Sequence, residues 1–332
     1  MNQEKKISVC IPFYNIESYV SRCLDSVLGN TYQNLEVICV NDGSSDRTSA
    51  LLHTYEEKDP RVIVIDKKNG GIVSARNSAI DAATGDFISF IDGDDWIHHQ
   101  FFEVLMSVQK QTFADAVICG YEKCTDIVQD IEISKEVVST LADTAALLNN
   151  AHARTHIWGR IYAMELVYKQ TGASDIVMGE DTAFNLLFLC RNDQRRVVII
   201  PERLYYYFQR EDSVVHTTSH AKKIKVSLFL KKHFRVFSGQ EGKKLALYEI
   251  IRTMLTYRYL KRYEPDKTEI HMCCKELYAF CADSWRNVLP KKERAKYMIL
   301  YYCPIFYRLF RIVTDPTMLD WERAERKRQR QG

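Results

Sequence analysis

No run of about 18 apolar residues occurs in this 332-residue chain, which excludes a membrane-spanning helix on sequence grounds. The opening segment Met1-Asn2-Gln3-Glu4-Lys5-Lys6 carries no apolar signal core, so a chain that stays in the cytoplasm is expected. The ten cysteines form no CxxC pair and no His/Cys spacing of the kind zinc requires, and Cys273-Cys274 are adjacent. Cys10, Cys23 and Cys39 sit inside apolar stretches, where reduced thiols act as small apolar side chains. No GxGxxG follows the first apolar run, which argues against a dinucleotide site. The absence of a GxxxxGK[ST] loop argues equally against a P-loop.

What is present is an uneven charge. The net +3 conceals 26 Lys and Arg against 12 Asp and Glu from residue 221 onward, a net of +14, while residues 1–220 carry −11. A basic C-terminal third suggests an anionic partner surface, and membrane headgroups or nucleic acid would each satisfy it. With 46% apolar content the chain can bury a full core, read as one large domain plus an appendage.

The first hundred residues alternate short apolar strands with amphipathic helices, which predicts βαβ units and a mostly parallel sheet. Strands are expected at Ile7–Ile11 (stopped by Pro12), Leu35–Val40, Val62–Ile65 and Phe87–Ile91. Helices are expected at Glu17–Leu28, Arg47–Lys58 and Val73–Ala82. Further along, Ala114–Gly120, Val197–Ile200 and Leu204–Phe208 read as strands. Thr140–Asn149 and a segment opened by Met178-Gly179-Glu180-Asp181-Thr182 read as helices. Acids in a first helical turn also suit the helix dipole, so Glu180 and Asp181 have a capping role as their alternative. Residues 295–313 are aromatic-rich but broken by Pro304, Arg308 and Arg311. That composition suits a helix lying in a membrane interface, with packing onto the rest of the chain as the alternative.

Ligands of open α/β sheets bind beyond the carboxyl ends of the strands. Here that edge would collect Pro12-Phe13-Tyr14-Asn15, the Asp42 turn, Asn69-Gly70-Gly71 and Asp92-Gly93-Asp94-Asp95. Three carboxylates after a buried strand are costly unless a cation neutralises them. A divalent ion carrying a phosphate is one candidate, since Mg²⁺ is usually held by one or two carboxylates plus phosphate oxygens. Gly93 would let the backbone approach a ligand closely. An acidic turn that merely follows a strand is the competing reading.

Pro12-Phe13-Tyr14-Asn15, Asn41-Asp42-Gly43-Ser44-Ser45-Asp46, Asn69-Gly70-Gly71, Ser74-Ala75-Arg76-Asn77, Asp92-Gly93-Asp94-Asp95-Trp96 and Gly179-Glu180-Asp181 occur in this order. Together they resemble glycosyltransferase family 2, over roughly residues 5–215. The resemblance implies a GT-A fold: an α/β, mostly parallel Rossmann-like sheet flanked by helices. It would form a catalytic domain over 1–218, with a basic helical C-terminal region over 219–332. It implies an inverting, metal-dependent transfer of one sugar from a UDP-sugar to a hydroxyl of a glycan or lipid-linked acceptor, in cell-surface polysaccharide synthesis.

By that resemblance Pro12, Phe13, Tyr14 and Asn15 line the nucleotide pocket, together with Asn69, Gly70, Gly71 and Gly93, and Asp42 accepts a hydrogen bond from the base. Arg76 supports the nucleotide loops or the diphosphate. Asp92 contacts ribose or the metal shell, and Asp94 ligates Mg²⁺ or Mn²⁺. Asp181 is the general base, with Glu180 as the competing assignment. Trp158, Arg160, Gln209 and Arg210 are candidates for acceptor or diphosphate. The family often has Asp where Asn41 stands, Ser at Gly93 and Lys at Arg160. No Gln-x-x-Arg-Trp occurs, the signature of processive synthases, which favours one sugar per acceptor.

The implied location is the inner membrane face, held peripherally by the basic C-terminal helices. No nucleic-acid partner is expected, and homo-oligomerisation is left open. Two other classes compete: a sugar nucleotidyltransferase, which would need a Gly-rich basic loop after the first strand, and a non-catalytic membrane or nucleic-acid adaptor on the same fold.

Overall fold

Ile7–Phe13 and Leu35–Asn41 are buried at every position, the pattern of parallel strands covered on both faces. They are β1 and β2 of the computed structural model. The structure describes residues 4–125, 139–142, 151–167, 180–190, 195–209 and 224–236, with separate helical positions between 242 and 281. With β3 (Val62–Asp66) and β4 (Phe87–Phe90) they make the parallel order β3-β2-β1-β4. The crossovers are α1 (Glu17–Leu28), α2 (Thr48–Lys58) and α3 (Ile72–Ala82). In α1, Val20, Cys23, Leu24 and Val27 recur every three or four residues, so one face is apolar and buries.

Past β4 the sheet becomes mixed. It continues β4-β8-β6-β9-β5, with β7 on β9, through β5 (Trp96–Ile97), β6 (Ala116–Cys124), β7 (Thr140–Ala142), β8 (Arg160–Ala163) and β9 (Val197–Phe208). β8 runs antiparallel to both β4 and β6, while β6 and β9 are parallel. The helices of this half are α4 (Phe101–Thr112), α5 (Ala151–Thr155) and α6 (Glu180–Cys190). An isolated bridge between Phe90 and Trp158 lays the segment before β8 beside the end of β4. That contact fixes the geometry of the site.

Several expectations are corrected. Pro12 does not stop β1, because the β1–β4 register ends at Cys10 while the β1–β2 register runs on to Phe13. A proline lacking its N–H therefore loses no ladder bond on the open side. Thr140–Ala142 is an edge strand on β9 rather than the start of a helix, because pairing with Val197–Ile199 outweighs its helical composition. Residues 143–149 lie outside the described residues. The two strands expected at 197–208 are one, kept continuous past Pro201 by a register shift opposite Gly120.

One buried carboxylate ties the amino edge of the sheet together. Glu36 on β2 is 4% exposed and receives Ser8 Oγ, Thr84 N and Oγ1, Gly85 N and the Lys6 ammonium. Burial alone would raise its pKa, but these donors outweigh burial and hold it at about 2. A carboxyl depressed below its unfolded value of about 4.3 contributes stability above that pH and loses it as pH falls toward 2. Glu36→Gln is therefore expected to cost about 3 kcal/mol at neutral pH. Urea unfolding should show the gap to wild type narrowing between about pH 4.5 and pH 2. A gap that stays constant with pH would contradict this account.

The chain divides into two compact units, Met1–Thr218 with Val236–Gly242, and Ser219–Arg235 with Lys243–Gly332. In the second, α7 (Ile224–Lys232) places Lys231 against Glu276, and Phe234 meets Phe280 edge-on. No helix among the described residues is long and apolar enough to cross a membrane. The aromatic segment 295–313 and the basic tail lie outside the described residues.

Candidate active site

The segments after β1, β2 and β3 are stitched to one another by side-chain and backbone hydrogen bonds. Asn15, at φ 51°, receives Ser45 N on its Oδ1 at 2.8 Å, and its own N–H reaches Ser44 Oγ at 3.1 Å. Asn tolerates that left-handed backbone better than most residues. Asp42 is 4% exposed. Its Oδ1 accepts Lys67 Nζ at 2.6 Å and Gly70 N at 3.0 Å, and its Oδ2 accepts Gly71 N at 2.8 Å. The Asn69-Gly70-Gly71 loop is thus folded onto Asp42, with Gly71 at φ 82° opening α3.

Tyr14 stands 51% exposed over this edge, whereas Phe13 is 1% exposed and belongs to the core below it. A Cβ on Gly93 would come within 2.7 Å of Phe13 Cδ1 and Ile16 Cδ1. The missing side chain of Gly93 therefore makes room for the chain's own Phe13 and Ile16.

The decisive geometry is around Arg76, on α3. Its Nη1 meets Asp181 Oδ1 at 2.6 Å and Glu180 Oε1 at 3.5 Å, and its Nη2 meets Asp92 Oδ1 at 3.0 Å. Asp181 Oδ2 accepts the Ile157 amide at 3.2 Å. The two acids, at the first turn of α6, are brought to Asp92 by one buried guanidinium that reaches Asp181 across 105 positions of sequence. Burial works against that charge, but the three carboxylates outweigh it and push the Arg76 pKa further up. Burial pushes the Asp92 carboxyl up to about 6 and the Glu180 carboxyl to about 7, with Asp181 repelling both and Arg76 attracting both.

Asp94 and Asp95 follow. Asp95 is buried and accepts Tyr205 Oη at 2.6 Å and Phe208 N at 2.8 Å. Burial, then repulsion from Asp94 and Asp92, raises its pKa well above normal. Tyr205 Oη in turn accepts the Asp92 amide at 3.1 Å, so one hydroxyl fixes both ends of the turn. Arg22 reaches the Asp94 carbonyl at 2.6 Å, its guanidinium lying over the rings of Trp96 and Phe208 at 4.3 and 4.2 Å.

Asp92 and Asp94 supply hard carboxylate oxygens. No group of three or more His, Cys, Asp or Glu fit to hold a metal occurs among the described residues. A donor set of two carboxylates fits Mg²⁺ or Mn²⁺ completed by phosphate oxygens, and does not fit a self-sufficient protein cage.

Of the acceptor or diphosphate candidates, Arg160 is corrected. It is 0% exposed, and its guanidinium donates to the carbonyls of Trp158, Ala153 and His152, so it pins the turn before β8 and meets no phosphate. Trp158 is buried flat against Tyr205 and Tyr207. Gln209 is exposed and its backbone N–H donates to the Cys124 carbonyl, while Arg210 lies outside the described residues.

Residues 8–167 match the family model described as Glycosyl transferase family 2. The chain is thus similar to glycosyl transferase family 2 over just under half of its length. Its relatives include the uncharacterized glycosyltransferase EpsJ of Bacillus subtilis (strain 168), 33% identical over 218 residues, which are 63% of this chain and 62% of EpsJ. The chain thus spans less than two thirds of that relative's length. Among solved structures, S. aureus TarS 1-349 in complex with UDP-GlcNAc gives a TM-score of 0.55 at 18% identity, covering 85% of this chain and 91% of that one. The mannosyltransferase PcManGT from Pyrobaculum calidifontis, in complex with GDP-Man and Mn²⁺, gives 0.51 at 16% identity, covering 91% and 85%. At these identities the likeness is one of fold, the GT-A arrangement.

Sequence reading missed Lys67, Tyr205 and Arg22 as partners of the site. Lys67 sits just before the Asn69 loop, so position hinted at it. Nothing local marks Tyr205 or Arg22, whose roles exist only once β9 and α1 flank the turn.

Proposed function

We propose that the chain is an inverting glycosyltransferase that moves one sugar from a UDP-sugar to a hydroxyl of a glycan or lipid-linked acceptor. The observation that supports it most is Arg76, which joins the acids of the Asp92 turn to the acid pair at the head of α6. The reading also draws on the UDP-GlcNAc bound by TarS and the Mn²⁺ bound by PcManGT. In this reading Tyr14, Asn15, Asp42 and the 69–71 loop hold the nucleoside. Asp92 and Asp94 would hold a divalent cation, which supplies positive charge to the departing diphosphate.

Asp181 takes the proton from the acceptor hydroxyl. The new C1–O bond forms as the C1–O bond to the diphosphate breaks, and that bond's electron pair leaves with UDP. Attack opposite the leaving group inverts the anomeric centre. Arg76 keeps the base fixed beside the diphosphate end of the site. The basic region after 219 is proposed to hold the enzyme peripherally at the inner membrane face, through its net +14.

The test is UDP release from a panel of UDP-sugars. Turnover should require Mn²⁺ or Mg²⁺, fall at least about a hundredfold with EDTA and return on adding metal. Absence of release with every donor, or full activity in EDTA, would overturn this reading.

A further inference from the structure

Asp181 is held from two sides. Its Oδ1 faces Arg76 and the acids of the Asp92 turn, while its Oδ2 takes the amide of Ile157. Ile157 lies between His156 and Trp158, and those residues open onto an aromatic group the reaction has not so far used. Tyr121 lies 4.9 Å from His152, 5.8 Å from His156 and, edge-on, 5.1 Å from Trp158. Trp158 lies flat across Tyr205 at 4.4 Å and Tyr207 at 5.4 Å. Trp158 and Tyr205 are buried, so the members that keep exposed surface are Tyr121, His156 and Tyr207, with His152.

The Cys119 carbonyl fixes the His152 ring protons. His152 Nε2–H donates to the Cys119 carbonyl at 3.1 Å, which leaves its Nδ1 as an acceptor. His156 Nδ1 stands 3.3 Å from that atom and 3.3 Å from Thr155 Oγ1; in the tautomer that donates to His152, His156 Nε2 carries a lone pair. Burial lowers both imidazoles, to about 2 and about 4, so both are neutral at physiological pH. Asp181 opposes the lowering of His156, while burial and then Asp95, Asp92 and Asp94 raise the Tyr207 hydroxyl.

We infer that Tyr121, His156 and Tyr207 form the subsite for the acceptor sugar, an uncharged pyranose. Its C–H face lies on the tyrosine rings, and one of its hydroxyls donates to His156 Nε2. Rigid amphipathic rings with one directed polar atom suit a ligand that is apolar on its faces and hydroxylated at its rim. The inference rests on the proposed transfer reaction and adds where its second substrate sits.

Saturation-transfer NMR on the full chain loaded with UDP and diamagnetic Mg²⁺ tests it, using methyl β-glycosides of glucose, galactose and N-acetylglucosamine. Saturating the protein's aromatic protons should transfer signal to the C–H protons of at least one glycoside. Its apparent affinity should fall about fivefold, equivalent to about 1 kcal/mol, in Tyr207→Leu and in Tyr121→Leu. Tyr207→Phe should retain it, because the ring remains. His156→Ala should lose it and His156→Gln partly restore it, since glutamine can accept the same hydroxyl. No transfer to any glycoside, or transfer unchanged in the leucine variants, overturns the subsite. Displacement of the glycoside by UDP-GlcNAc but not by UDP assigns the rings to the donated sugar and equally overturns it. Failure of UDP and Mg²⁺ to bind, measured on the same sample by calorimetry, would instead remove the donor reading beneath it.

Discussion

Asp181→Asn is expected to slow sugar transfer about a thousandfold, within the range a positioned general base contributes. The variant is nearly isosteric. Its amide oxygen can still accept from Arg76, and only the longer 3.2 Å bond from Ile157 is forfeited, so the cost to folding should be about 1 kcal/mol. What disappears is the lone pair that takes the acceptor proton. Steady-state rates with saturating donor should show the loss in kcat, with donor KM changed by less than about twofold. Glu180 sits 3.5 Å from Arg76 against 2.6 Å for Asp181, and so pairs with that guanidinium less closely. Glu180→Gln should therefore lose less than about tenfold. The opposite ranking of the two variants would give the base role to Glu180.

Arg76→Gln should be the most destabilising single change in the described site, by about 3–5 kcal/mol, because it leaves Asp92, Glu180 and Asp181 mutually repelling in a buried place. Chemical denaturation with and without Mn²⁺ reads it directly. Arg76→Lys should recover only part, since one ammonium cannot span carboxylates that the two Nη atoms of arginine reach at once. Activity should fall with stability and remain low even where the Lys variant is folded, because Asp181 loses its fixed partner. A loss below about 1 kcal/mol in Arg76→Gln would show that the acids are already separated or solvated.

The parallel half of the fold was readable because its strands are continuous apolar runs closed by Gly, Asn and Asp, and its helices keep one apolar face. The antiparallel half was not. β5 is two residues long, and β8 hides in an aromatic, basic stretch whose Arg160 looks like a ligand group but serves three backbone carbonyls. α4 passed unassigned although Phe101, Phe102, Leu105, Met106 and Val108 make one of its faces apolar. The acids of the site were legible as residue types in a recognisable order. Their grouping was not, since Arg76 could be placed near the nucleotide loops by position but not seen to reach α6. Phe13 and Gly93 show the same limit. Adjacency to a motif named them as pocket residues, and only the structure shows that they also pack against each other.

The arginine and the carboxylate it clasps are 105 positions apart, and the strand that delivers the second half of the site, β8, pairs back onto β4. During synthesis, a chain of which only the first hundred residues have left the ribosome would already carry the loops proposed to hold the nucleoside, yet lack the acid proposed to draw a proton from an acceptor. Competence would arrive late and all at once, when α6 emerges, so a truncated product could sequester donor but could not spend it.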